Sequence, residues 1–179
     1  MTKIFNKLLL IGVSTCLLSS LAFAQDTICY KNNVEKPSLI EDVSLDDWQW
    51  CVNINLWGVI YGCHYFVPKF QKQGYGAIIN VASAAGYTAA PEMTAYNVTK
   101  SSVLALSETL SAELRKDKIS VNVLCPTLVP TNIMKNGRLP KQYAGLADDL
   151  LMNHAFTTSD QVVIKTLNNL DAGKLYTIP

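Results

Sequence analysis

Two apolar runs on either side of one long helical stretch constrain the fold of this chain most. Residues 77–82 read Ala-Ile-Ile-Asn-Val-Ala, and residues 119–125 read Ile-Ser-Val-Asn-Val-Leu-Cys. Largely apolar runs of this length suit strands of a parallel sheet covered on both faces. Between them a long helix is expected over about 91–116. An earlier helix is expected from near Ser44 to about Lys72, with Asp46 and Asp47 as acidic signals in its first turn. Its expected packing residues are Trp57, Ile60, Tyr61 and Phe66, and Gly58 and Gly62 would permit close approach of another helix. Residues 84–91 read as a loop. Ser159-Asp160 starts a last helix, Gly173 ends it, and 174–179 reads as a short edge strand. The alternation argues for an α/β fold with a doubly wound parallel sheet.

The 179 residues are 49% hydrophobic and 16% charged, the make-up of one globular domain. Fifteen basic and 14 acidic residues leave a net charge of +1, so nothing favours nucleic acid as a partner. His64 and His154 are far apart and no Cys-x-x-Cys pair occurs, so no metal site is expected. His64 is expected to pack on a helix face.

Residues 1–24 stand apart from this body. Lys3 and Lys7 give a positive start, Leu8 to Leu21 is apolar, and Ala22-Phe-Ala24 is a small-x-small end. This is the pattern of a secretory signal peptide. The stretch is short for a membrane span and lacks a stop-transfer flank, so cleavage and export, periplasmic or secreted, are expected. Residues 25–38 show no clear period and read as an irregular linker or a remnant strand, leaving 39–179 as the folded body. Cys51 and Cys63 fall twelve residues apart on one expected helix. That is about 18 Å at the helical rise, far too long for a disulfide between them. With Cys125 in a buried strand, the cysteines read as small core residues of a cytoplasmic protein. Leader and body disagree about compartment.

Chemistry concentrates in one stretch. Ser83 closes the first apolar run, Tyr96 follows thirteen residues later, and Lys100 follows at i+4. On a helix, i and i+4 share a face, so phenol and ammonium can meet. A neighbouring positive charge favours the ionised phenol, which can then exchange a proton with an alcohol or carbonyl oxygen. Ser83 can hold that same oxygen by a hydrogen bond. The chain carries its own decoy in Tyr65 and Lys69, also four apart. There Pro68 is expected to disturb the helix, and Val52, thirteen residues before Tyr65, has no hydroxyl.

With Asn55 upstream and Pro126 to Thr131 downstream, these residues resemble the short-chain dehydrogenase/reductase family from about Leu39 to the end. The resemblance implies a Rossmann-like doubly wound sheet and an NAD(P)-dependent oxidoreductase that interconverts an alcohol and a ketone or aldehyde. It assigns Tyr96 as acid/base and Lys100 as its partner, both beside the nicotinamide ribose. Ser83 matches the serine that orients the substrate oxygen, and Asn55 the asparagine that anchors a proton-relay water. Pro126 and Thr131 match the turn and the threonine at the nicotinamide amide, with Thr127 where the family's glycine is usual. It also implies a small, apolar alcohol or carbonyl substrate covered by the stretch 131–153. Helices at about 45–72 and 91–116 commonly form the family's dimer interface. Asn97-Val-Thr99 is a formal glycosylation sequon, but its place beside Tyr96 argues against use.

The glycine-rich turn that holds a dinucleotide pyrophosphate is not found. Gly74-x-Gly76 precedes a strand instead of following one, and position 79 is Ile. Without such backbone N–H groups, cofactor affinity is expected to be poor. The chain therefore reads as a truncated, catalytic half of such a fold behind a leader, with residues 77–82 left as an apolar sheet edge. A non-catalytic exported fragment, or an interaction protein using its helices, is the alternative.

Overall fold

The structure, a computed structural model, describes residues 39–131 and 157–179, together with Gly145, Asp149, Asn153 and Ala155. The leader 1–24, the segment 25–38 and nearly all of 132–156 lie outside the described residues.

A single turn at Ile40–Asp42 precedes helix α1, Leu45–Val52. Ser44 caps it: its Oγ accepts from the Asp47 N–H at 3.1 Å and donates to the Asp47 carboxylate at 2.7 Å. The helix continues without a break through a π turn, Asn53–Trp57, into α2, Gly58–Gln73. Gly74 then turns the chain in the left-handed region at φ 82°. Strand β1 is Gly76–Val81, and a short helix α3 follows at Ala85–Thr88, where the sequence suggested only a loop. Helix α4 is Thr94–Glu113, strand β2 is Ile119–Leu124, helix α5 is Ser159–Asp171 and strand β3 is Tyr176–Thr177. Thr158 and Gln161 form a reciprocal capping box at the start of α5.

The sheet runs β1-β2-β3 with every pairing parallel, Gly76 opposite Ile119 and Val123 opposite Tyr176. Successive strand residues face opposite sides. Ile78, Ile119 and Val121 pack with Cys63, Val59, Val67 and Phe70 of α2 and with Leu106 and Leu110 of α4. Ile79, Val81 and Leu124 pack on the other side with Val162 of α5. Helices on both faces of a parallel sheet are the expected doubly wound architecture. Asn80 enters the α2/α4 layer with its polarity satisfied: Nδ2 donates to Ser107 Oγ at 3.0 Å, and Oδ1 accepts from Cys63 Sγ at 3.6 Å.

Several expectations change. Trp57 and Tyr61 are not packed but exposed. The π turn inserts about one residue, rotating every later side chain by roughly 100° from a continuous 3.6 period. A Cβ on Gly58 or Gly62 would meet nothing within 4 Å among the described residues, so none of the described helices closes on them. His64 is exposed as well. Pro68 does not break α2, which runs through it on an exposed face, where water can serve the freed carbonyl. Cys51 is disulfide-bonded, which corrects its reading as a plain core thiol. Cys63 and Cys125 are free and buried, so the separation argued for Cys51 and Cys63 stands. Among the described residues, no helix is long and apolar enough to cross a membrane.

Candidate active site

The site residues gather where β1 and β2 end, the edge at which open parallel sheets of this kind bind ligands. Ser83 leaves β1 half-buried, and its Oγ accepts from the Ala85 N–H at 3.2 Å. The pairing of the two strands extends past their ends. Ala82 N donates to Leu124 O at 2.8 Å, and Ala84 N donates to Pro126 O at 2.9 Å. Those bonds place Ser83 and Pro126 side by side on the same rim.

Helix α4 brings in the other two groups from its first turns. Tyr96 is 5% exposed and Lys100 is fully buried. Lys100 Nζ lies 5.6 Å from the centre of the Tyr96 ring and donates to the Val81 carbonyl at 3.1 Å. An ammonium taken out of water is unfavourable unless it is paired or hydrogen-bonded. Here one bond goes to the last residue of β1, two residues before Ser83. Tyr65 and Lys69 also touch, with Nζ 3.9 Å from the ring centre, but Tyr65 is 61% exposed. Burial at a strand end, not spacing or helix continuity, separates the two pairs.

Asn55 sits inside the π turn and is 2% exposed. Its Nδ2 is 3.4 Å from Thr99 Oγ1 and 3.5 Å from Cys51 Sγ. Thr99 Oγ1 in turn donates to the Tyr96 carbonyl at 2.8 Å. Thr99 thus joins Asn55 to the tyrosine's own turn. Sequence reasoning missed it, although a buried hydroxyl between Tyr96 and Lys100 was the available signal. π turns recur at functional sites, and this one aims Asn55 at α4. Thr131, by contrast, is exposed at the end of the described stretch.

A second polar cluster adjoins the rim and was not anticipated. Cys125 Sγ lies 3.8 Å from the Tyr87 hydroxyl, and the Tyr176 hydroxyl donates to Glu108. Burial raises the Cys125 thiol above its usual range, while the bond to Tyr87 and the charge of Lys100 pull it back. Burial and Cys125 raise the Tyr87 phenol, and the bond to Glu108 holds Tyr176 up to about 12. Among the described residues, no group of three or more His, Cys, Asp or Glu side chains is placed to hold a metal ion.

The chain matches the short chain dehydrogenase family model over residues 27–142. It belongs to the short chain dehydrogenase family. The D-beta-hydroxybutyrate dehydrogenase of Rhizobium meliloti is 28% identical over 130 residues, covering 72% of this chain and 50% of the relative. The CLA biosynthesis dehydrogenase/reductase of Lactiplantibacillus plantarum is 27% identical, covering 80% of this chain and 52% of the relative. A short chain dehydrogenase/reductase from Burkholderia phymatum, solved in complex with NAD, superposes with a TM-score of 0.70 at 27% identity. That match covers 79% of this chain and 56% of the other. This family member spans about half the length of the curated relatives it matches.

Proposed function

We propose that this chain carries the proton-transfer residues of an NAD(P)-dependent oxidoreductase that interconverts a small, apolar alcohol and its ketone or aldehyde. The observation that carries the reading is the buried Lys100 ammonium, 5.6 Å from the Tyr96 ring centre and bonded to the end of β1. Tyr96 exchanges the hydroxyl proton with the substrate oxygen. Lys100 stabilises the ionised phenol. Ser83 holds the substrate oxygen from the strand end, and Asn55 orders the water side of the relay through Thr99.

NAD or NADP, when bound, supplies the hydride acceptor or donor. The residues suit it: the Tyr96 phenol and the Lys100 ammonium would take ribose hydroxyls, and Pro126 with Thr131 would take the carboxamide. The Burkholderia relative's complex with NAD supports that assignment. Transfer of deuterium from a carbinol-labelled alcohol to NAD or NADP, read by mass spectrometry, tests the reading. The chain is used joined to the amino-terminal half of a relative. Deuterated NAD(P)H is expected, and exchange of the label with water instead would overturn it.

A second reading rests on a separate observation. Trp57, Tyr61 and Tyr65 are all exposed at i, i+4 and i+8, and the rings of Trp57 and Tyr61 lie 5.3 Å apart. With Gly58 and Gly62 open beside them, this stripe supports a second copy of the chain packing on helices 45–72 and 91–116. Tyr61→Glu should then lower the mass measured by light scattering.

A further inference from the structure

The ten residues between Ser83 and the α4 start form a strained segment. Ala89 and Glu92 both lie in the left-handed region, at φ 47° and 67°. Side chains with a Cβ hold that conformation only where the surroundings over-determine it. Three ties from α4 do so. Gly86 lies so close that a Cβ there would sit 3.1 Å from the Lys100 carbonyl oxygen. Ser101 Oγ donates to the Gly86 carbonyl at 2.8 Å, and Asn97 Nδ2 donates to the Ala90 carbonyl at 2.6 Å. Ala90 stands between the two strained residues. Asn97 and Ser101 each follow one residue after Tyr96 and Lys100. Helix α4 therefore presents two adjacent rows, one with the proton-transfer groups and one that grips the segment.

Asn97 is 8% exposed, and its Oδ1 is buried with no hydrogen-bond partner among the described residues. An unpaired buried acceptor is unfavourable, and an apolar side chain would avoid it. The position therefore uses the amide for its donor. We propose that Asn97 is a positioning residue: by holding the Ala90 carbonyl it fixes the segment 84–93, and so keeps Ser83 in place relative to Tyr96. This rests on the reading of Ser83 and Tyr96 given above.

The test is Asn97→Asp in the 179-residue chain. The two side chains are isosteric, but an ionised carboxylate cannot donate to Ala90, whereas a protonated one can. Amide hydrogen exchange is compared with the parent at each pH. At neutral pH, protection over 84–93 should fall by about tenfold, the scale of one hydrogen bond. The NMR signals of the Ser83 amide and the Tyr96 ring should shift, while amides of 76–81 and 119–124 stay as in the parent. Lowering the pH through the carboxyl range should restore the parent pattern. Exchange and Ser83 signals equal to the parent at neutral pH would overturn the proposal. If Asn97→Asp does not fold, Asn97→Ala and Ser101→Ala decide: losses confined to 84–93 support it, and unchanged exchange overturns it. Tyr96→Phe should leave exchange in this segment untouched, so a failure of the catalytic reading is told apart from a failure of this one.

Discussion

Lys100 is fully buried beneath Tyr96, and its ammonium is tied to the Val81 carbonyl at 3.1 Å. One side chain thus fixes α4 to β1, whose last residue lies two before Ser83. Lys100→Met keeps the stem and removes the charge. The fold should persist, because a buried charge gives way to an apolar group of similar length. Turnover in the chain joined to a relative's amino-terminal half should fall by roughly 10²–10⁴, the usual contribution of positioned proton transfer. Circular dichroism and initial rates on the same sample check both halves of the prediction.

Ser107 is the partner of the buried Asn80 amide at 3.0 Å and itself donates to the Val103 carbonyl at 2.7 Å. Ser107→Ala strips the amide of its acceptor inside the α2/α4 layer. A loss of about 1–3 kcal/mol is expected, the scale for a buried group left unpaired. Urea unfolding should show a lower midpoint with an unchanged slope.

Tyr176 donates to Glu108, and its phenol is held up to about 12. A raised folded-state pKa means that the unfolded chain loses this proton first as pH rises. The stabilisation is complete below the ordinary phenol value of about 10 and is lost as pH climbs towards 12. Tyr87 is raised as well and acts with the same sign. Tyr176→Phe should therefore flatten the alkaline arm of a stability–pH curve and leave the arm below pH about 9 unchanged in slope. An equal alkaline slope in parent and variant would contradict this.

Cys51 is disulfide-bonded, whereas Cys63 and Cys125 are free. Alkylation of the denatured chain without reductant should label Cys63 and Cys125 and spare Cys51. Prior reduction should add the label at Cys51. All three tryptophans lie at 48, 50 and 57, so their emission reports on this helix and should change with the reduction.

Much of the fold was legible because its signals are local. The apolar runs at 77–82 and 119–125, the Ser44 cap and the glycines at 74 and 173 act over a few residues. The Tyr96–Lys100 pair was legible for the same reason, since both sit on one helix turn beyond a strand end. The exposure of Trp57 and Tyr61 was not, because a π turn shifts the period and leaves no mark in composition. Helix α3 was hidden by its length, four residues, well below what propensity can resolve. The link from Asn55 through Thr99 spans 44 residues of sequence and exists only after α1 and α4 have packed. The pairing of Cys51 likewise depends on tertiary approach, which spacing along one helix could only exclude for Cys63.

The central claim is that Tyr96, not any other tyrosine, moves the proton. The most direct measurement is the rate of NAD(P)-dependent alcohol oxidation for Tyr96→Phe and Tyr65→Phe, each in the chain joined to a relative's amino-terminal half. Tyr96→Phe should lose roughly 10²–10⁴ in rate with the fold intact, because only the proton-carrying hydroxyl is removed. Tyr65→Phe should retain the parent rate, its ring being exposed on α2. Equal losses in both variants, or full activity in Tyr96→Phe, would contradict the account.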